Sequence, residues 1–189
     1  LITCSFHPTK SLPANESGLI IAPKKYLVDF ENILNFGFEK INRNLYLNGF
    51  NGKFSEYDAA IFLANFKRLK IIKKELRKKN FYISNKLSKI GNLYFNKEMG
   101  KNWITSKIFL LSKTKNFKKL EKEFTKKNVR IFKPWSKRPM HEEKIFKKYK
   151  KMDLKNTKTI HNYGFAIPFY IDQSLKEINL MIKKINQIF

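Results

Sequence analysis

Ser5-Phe6-His7-Pro8-Thr9-Lys10, continued by Ser11-Leu12-Pro13-Ala14-Asn15-Glu16-Ser17-Gly18, is the stretch on which the reading of this chain turns. Leu1-Ile2-Thr3-Cys4 leads into it as a short apolar run, and Gly18-Leu19-Ile20-Ile21-Ala22 leads out as a strand-like one. Between two strands a loop holds a side chain at fixed reach. Here that side chain is Lys10, with the hydroxyl of Ser5 five residues before it. Taken alone this spacing is a weak signal, because the chain carries 40 Lys and Arg residues.

The 189 residues suffice for one or two compact domains, and a hydrophobic share of 42% supports a core rather than wholesale disorder. The formal net charge of +25 permits electrostatic binding to nucleic acid or an acidic surface. The lysines are scattered along the whole chain, and the abundance of Lys, Asn, Ile and Phe is also what an AT-rich genome produces. The single cysteine, Cys4, excludes an intramolecular disulfide and reads as a small packed apolar residue. No run approaches the roughly 18 apolar residues of a membrane span, and no signal peptide is visible, so a cytoplasmic location is the default.

A second stretch carries comparable information. Asn48-Gly49-Phe50-Asn51-Gly52-Lys53-Phe54-Ser55-Glu56 precedes Tyr57-Asp58-Ala59-Ala60. Asn-Gly pairs mark turns, and Ser55 is placed to cap a helix. From Ser55, apolar residues at Ala59, Leu63, Phe66, Leu69, Ile72 and Leu76 predict one long helix running to about Leu87. Upstream, Leu27, Phe30, Ile33 and Leu34 fit one helical face, with Gly37 placed to take a left-handed cap.

After Gly91 the pattern changes. Trp103 to Leu111, Val129 to Phe132 and Ala166 to Tyr170 read as strands. Phe117, Leu120 and Phe124 predict an amphipathic helix. Lys133 to His141 reads as a proline-punctuated loop, in which Trp135 is either a cleft aromatic or a buried one. His141 has no Cys, Asp or second His at metal-ligand spacing and reads as structural, so no metal site is expected. Ser174-Leu175-Lys176-Glu177 has the form of a capping box opening a last helix with Leu175, Ile178, Met181, Ile182, Ile185 and Ile188 on one face.

The two quoted stretches, in this order, resemble the DegT/DnrJ/StrS family of sugar aminotransferases, which use pyridoxal 5'-phosphate (PLP). The family's lysine segment runs Ser-Phe, a few residues, Lys, a short loop, then Gly-Glu-Gly-Gly and a strand. Its later segment runs Gly, an aromatic or apolar residue, Asn, one variable residue, Arg or Lys, Met, then Ser or Asp and Glu before an Ala-Ala helix start. Phe54 replaces that Met, and Asn15 and Ser17 replace two of the glycines.

The resemblance implies an α/β fold, the C-terminal part of an aspartate aminotransferase-like (type I) PLP-dependent transferase. It would comprise the end of a large PLP-binding domain (residues 1–54), a connecting helix (55–90) and a small α/β domain (91–189). It implies Lys10 as the catalytic lysine that bonds the PLP aldehyde, and Ser5 as a phosphate ligand. Asn51 would reach the phosphate of a neighbouring subunit, with Lys53 as a basic residue near the same phosphate. The expected substrate is a keto sugar, nucleotide-linked, with an amino acid such as glutamate as amino donor, in polysaccharide or amino-sugar biosynthesis. The complete enzyme is expected to be a homodimer, with neither a specific nucleic-acid partner nor a membrane. The family's acidic residue on the pyridine nitrogen precedes its lysine, so the chain reads as a C-terminal part that is inactive alone. The competing expectation is a non-catalytic basic domain for an anionic partner such as nucleic acid.

Overall fold

The computed structural model describes residues 1–133, 135, 138–149 and 153–189. The chain divides into two compact units, Leu1–Ile71 and Ile72–Phe189.

In the first unit, strand β1 (Ile2–Ser5) pairs antiparallel with β2 (Gly18–Ile21), in a register that sets Ile2 opposite Ile21 and Ser5 opposite Gly18. Gly18 is required by this packing, since a Cβ there would lie 2.9 Å from the Cys4 carbonyl oxygen. Helix α1 (Leu27–Leu34) forms where the apolar spacing placed a helix, with Phe30, Ile33 and Leu34 half-buried and Leu27 exposed. Gly37 takes the left-handed region as expected, at φ 86, and Phe36 before it does so too, at φ 61, while Gly37 N–H returns to the Asn32 carbonyl at 2.7 Å. A side chain at Gly37 would strike the Leu47 carbonyl oxygen, so only glycine fits.

Helix α2 (Glu56–Lys67) starts at Ser55, whose Oγ accepts from the Asp58 N–H at 3.1 Å as expected for a cap. The single long helix expected to run to Leu87 is two helices. Arg68, at φ −88 and ψ 1, separates α2 from α3 (Leu69–Leu87). The apolar spacing on which one continuous helix was expected does not mark a buried face through this point, since α2 buries no residue and Leu63 and Phe66 are exposed.

The second unit packs α3 and three further helices on a three-stranded antiparallel sheet. The strand order is β3 (Leu93–Tyr94), β4 (Ile108–Ser112), β5 (Gly164–Ile167). Ile108 faces Ile167, and Leu111 faces Gly164. Helix α4 (Phe117–Thr125) buries Phe117, Leu120 and Phe124, and Asn116 caps it by accepting from Lys119 N–H. Helix α5 (Lys155–Tyr163) leads directly into β5. The capping box expected at Ser174 and Glu177 is formed at the start of α6 (Leu175–Asn186), which buries Ile178, Ile182 and Ile185. The core joins Ile83, Leu87, Leu110, Phe124, Phe165 and Ile185.

Three strand boundaries differ from the sequence pattern. The strand expected from Trp103 begins only at Ile108, because Thr105 N–H and C=O are taken by Asn80 instead of a neighbouring strand. The Val129–Phe132 run contributes a single bridge, Phe132 to Ala166. The last strand stops before Pro168, which has no N–H to donate.

Candidate active site

The lysine stretch folds into a closed loop between β1 and β2. Phe6 N–H donates to the Ser17 carbonyl at 2.9 Å and Ala14 N–H to the Phe6 carbonyl at 2.6 Å, so the loop ends are laced together. Phe6 and Ala14 are buried beneath it, and the Phe6 ring packs 4.5 Å from that of Phe62 on α2. Lys10 sits at the exposed turn, its N–H on the His7 carbonyl at 2.8 Å. Thr9 N–H donates to His7 Nδ1 at 3.2 Å, which leaves the proton of the neutral ring on Nε2, 3.3 Å from Glu16 Oε1.

The two positions that depart from the family's glycines behave differently. Asn15 does take the left-handed region, at φ 54, which asparagine tolerates better than other side chains. Ser17 keeps an ordinary backbone, and its hydroxyl donates to the Ala14 carbonyl. The turn therefore forms without those glycines.

The Asn51 stretch is pinned to the end of α1. Phe50 N–H donates to Ile33 O and Gly52 N–H to Leu34 O, both at 2.9 Å, and Asn35 and Asn51 form a bridge. Phe36, in its left-handed conformation, lies under Lys53, whose Nζ is 5.0 Å from the ring centroid. A bulky residue at positive φ is strained, and such strain gathers where geometry serves a site.

Ser5, Lys10, Asn51 and Lys53 all line one open cavity of about 1410 Å³ in the first unit, together with His7, Glu16 and Asp58. The fold thus brings together residues 41 or more apart in sequence across the loop and the Asn51 turn. Among the described residues no carboxylate pairs with the Lys10 ammonium, and the Asn51 amide has no partner. Ser5 Oγ accepts weakly from His7 N–H at 3.4 Å, leaving its own proton free to donate. An unpaired amine that shares its cavity with a free hydroxyl donor suits an aldehyde that also bears a phosphate. This is the chemistry of PLP, so the donor set suits that cofactor.

Sequence reasoning did not find the contribution of α2 to this loop. Asp58 accepts from the Asn15 amide at 2.6 Å, and the Asn65 amide donates to the Pro13 carbonyl at 2.8 Å. Contacts spanning 43 and 52 residues have no local signal to announce them.

Other expected residues lie elsewhere. Trp135 is exposed and lines a groove of the second unit with Arg130, Phe132 and Lys133. Its neighbours Pro134, Ser136 and Lys137 in the expected proline loop lie outside the described residues. His141 is largely buried, with Nε2 3.8 Å from Glu142 Oε1, beyond hydrogen-bond distance. Among the described residues no group of three His, Cys, Asp or Glu is placed to hold a metal, and no helix is long and apolar enough to cross a membrane.

No curated protein matches the chain. Solved structures do. A Bacillus cereus ATCC 10987 protein assigned as a PLP-dependent aminotransferase superposes with a TM-score of 0.86 at 25% identity, over 98% of this chain and 51% of that one. A DegT DnrJ EryC1 StrS aminotransferase from Brucella abortus gives 0.81 at 16% identity, over 98% and 50%. Helicobacter pylori PseC, an aminotransferase involved in the biosynthesis of pseudoaminic acid, gives 0.79 at 12% identity, over 99% and 52%. The chain therefore spans about half the length of the solved relatives it matches. Its fold is the expected α/β part of a PLP-dependent transferase. The DegT/DnrJ/EryC1/StrS aminotransferase model matches residues 1–186, from the lysine loop through α6, and the chain belongs to that family.

Proposed function

We propose that this chain is the lysine-bearing part of a PLP-dependent sugar aminotransferase, with Lys10 as the residue that bonds the cofactor. The observation that carries the reading is that Lys10, unpaired among the described residues, lines the same cavity as Ser5. When bound, PLP supplies an aldehyde for covalent attachment to an amine and a ring that draws electrons away from the reacting carbon.

The residues divide the remaining work. Lys10 Nζ would hold the cofactor covalently and, as the free amine, would carry the proton that leaves the substrate carbon to a second carbon, the shift a transamination requires. Ser5 Oγ–H donates to a phosphate oxygen. The Asn51 amide donates to a phosphate, that of a second subunit in our reading, and Lys53 adds positive charge. Residues 1–54 then belong to the large cofactor domain, 55–90 join it to the small domain, and 91–189 form the latter.

The substrate in this reading is a keto sugar, nucleotide-linked, with an amino acid such as glutamate as donor and a homodimer as the working assembly. PseC, whose fold this chain shares, is described as acting in pseudoaminic acid biosynthesis, and this supports a role in amino-sugar or polysaccharide synthesis. The test is incubation with PLP of the chain supplied in trans with the preceding half of a related family member, followed by borohydride reduction and peptide mass spectrometry. Attachment concentrated at Lys10 is the expected result, and uniform labelling of many lysines would overturn the reading.

A further inference from the structure

Two side chains of α2 hold the lysine loop from a distance. The Asn15 amide donates to Asp58 Oδ1 at 2.6 Å, and Asn15 presents that amide from a left-handed backbone, φ 54. Seven residues further along α2, two helical turns, the Asn65 amide donates to the Pro13 carbonyl at 2.8 Å. Ala14, between the two anchors, is fully buried, and its N–H reaches the Phe6 carbonyl at 2.6 Å. Residues 13, 14 and 15 are thus each bonded to something outside the turn.

Asp58 is suited to the task. It occupies the first turn of α2, where its own N–H is capped by Ser55 Oγ. A hydrogen bond to an ionised acceptor is stronger than a neutral one. At the other end of the loop Lys10 N–H is fixed to the His7 carbonyl at 2.8 Å. Ser11 and Leu12 alone separate the two fixed segments.

We infer that Asp58 and Asn65 are positioning residues for Lys10, acting through Asn15 and Pro13 to hold the loop so that its amine projects into the cavity at a set reach. Neither touches the amine itself. A reacting group held in place loses less freedom on the way to reaction, and this is the gain the two bonds supply. The inference rests on the reading of Lys10 as the amine that takes PLP.

The experiment compares the full 189-residue chain with Asn15→Gly, Asp58→Asn, Asp58→Ala and the double variant Asn15→Gly/Asp58→Ala. Glycine keeps the left-handed backbone and removes only the amide. Asparagine at 58 keeps an acceptor oxygen. Two quantities are read: hydrogen exchange of residues 6–18 without cofactor, and the rate of borohydride-fixed PLP attachment at Lys10 with the preceding half of a related family member supplied in trans. Asn15→Gly and Asp58→Ala are each expected to speed loop exchange roughly fivefold, with the double variant no faster than either single one. Attachment at Lys10 is expected to slow by about the same factor, and Asp58→Asn is expected to restore most of both.

Unchanged exchange in both single variants would overturn the fastening. Faster exchange with an unaltered attachment rate would overturn the positioning role. If the unmodified chain, supplied in trans with the preceding half of a related family member, takes no PLP at Lys10, the aminotransferase reading fails and the positioning role with it, whereas the exchange comparison still decides whether α2 fastens the loop. Should Asp58→Ala not fold, Asn15→Gly carries the same comparison.

Discussion

Asn80 and Thr105 are joined by a double hydrogen bond in the core of the second unit. Asn80 Nδ2 donates to the Thr105 carbonyl at 3.1 Å, and Thr105 N–H donates back to Asn80 Oδ1 at 2.7 Å. The asparagine is fully buried in α3, so it serves there as a surrogate strand for a loop that has none. Asn80→Ala leaves both backbone groups of Thr105 without that partner. We expect a loss of about 2–4 kcal/mol, read as a lowered urea midpoint with an unchanged slope. A loss under about 0.5 kcal/mol would mean that water replaces the asparagine at no cost.

Lys10→Ala should eliminate PLP attachment and leave the fold intact. The side chain is exposed and makes no ion pair among the described residues, so stability should change by less than about 0.5 kcal/mol. Absorbance of bound cofactor, with circular dichroism as the control, separates the two effects. Attachment persisting at an undiminished rate would remove Lys10 from the proposed site.

Asn51→Ala should weaken retention of PLP about tenfold, the loss of one charge-assisted hydrogen bond to phosphate. If the donor serves a second subunit, the effect should appear only in the dimer of the complete protein. Dilution through the dimer transition, with cofactor followed by fluorescence, checks this. Full retention in a monomer would contradict the intersubunit assignment.

Glu177 and Tyr170 set opposite limits on the pH range over which the start of α6 is held. Bonds from the Ser174 hydroxyl and N–H, then from the Tyr170 hydroxyl at 3.1 Å, keep the Glu177 carboxyl below its ordinary 4.5. Its contribution is complete above pH 4.5 and is lost as the pH falls through the lowered value. Tyr170 is raised above its ordinary 10.0, first by its hydrogen bond to Glu177 and then by that carboxylate's charge. Its contribution is present below pH 10.0 and is lost as the pH rises through the raised value. Amide exchange at the first turn of α6 should therefore quicken at both extremes. Glu177→Gln should flatten the acid limb, and an unaltered acid limb would refute the assignment.

The charge of +25 should give only weak, sequence-indifferent binding to duplex DNA, falling steeply with salt, because the lysines are scattered through the chain. Fluorescence anisotropy across a salt series checks this. A tight, sequence-selective complex at physiological salt would favour the nucleic-acid function over the enzymatic one.

Much of this protein is local in origin and so was readable from sequence. Helices α1, α4 and α6 follow apolar spacing, and Ser55 and Ser174 cap helices through bonds to residues three positions away. The grouping of Ser5, Lys10, Asn51 and Lys53 was anticipated by resemblance, not spacing, since no periodic rule connects a loop to a turn some 40 residues on. Tertiary structure alone decided the late start of β4 and the fastening of the lysine loop. Each of these depends on where a polar group finds its partner once the chain is compact. Asn80 meets Thr105 25 residues away, and Asn15 meets Asp58 43 away. Apolar patterning specifies which face of an element turns inward, but a single directional bond between distant side chains leaves no period in the sequence to be read.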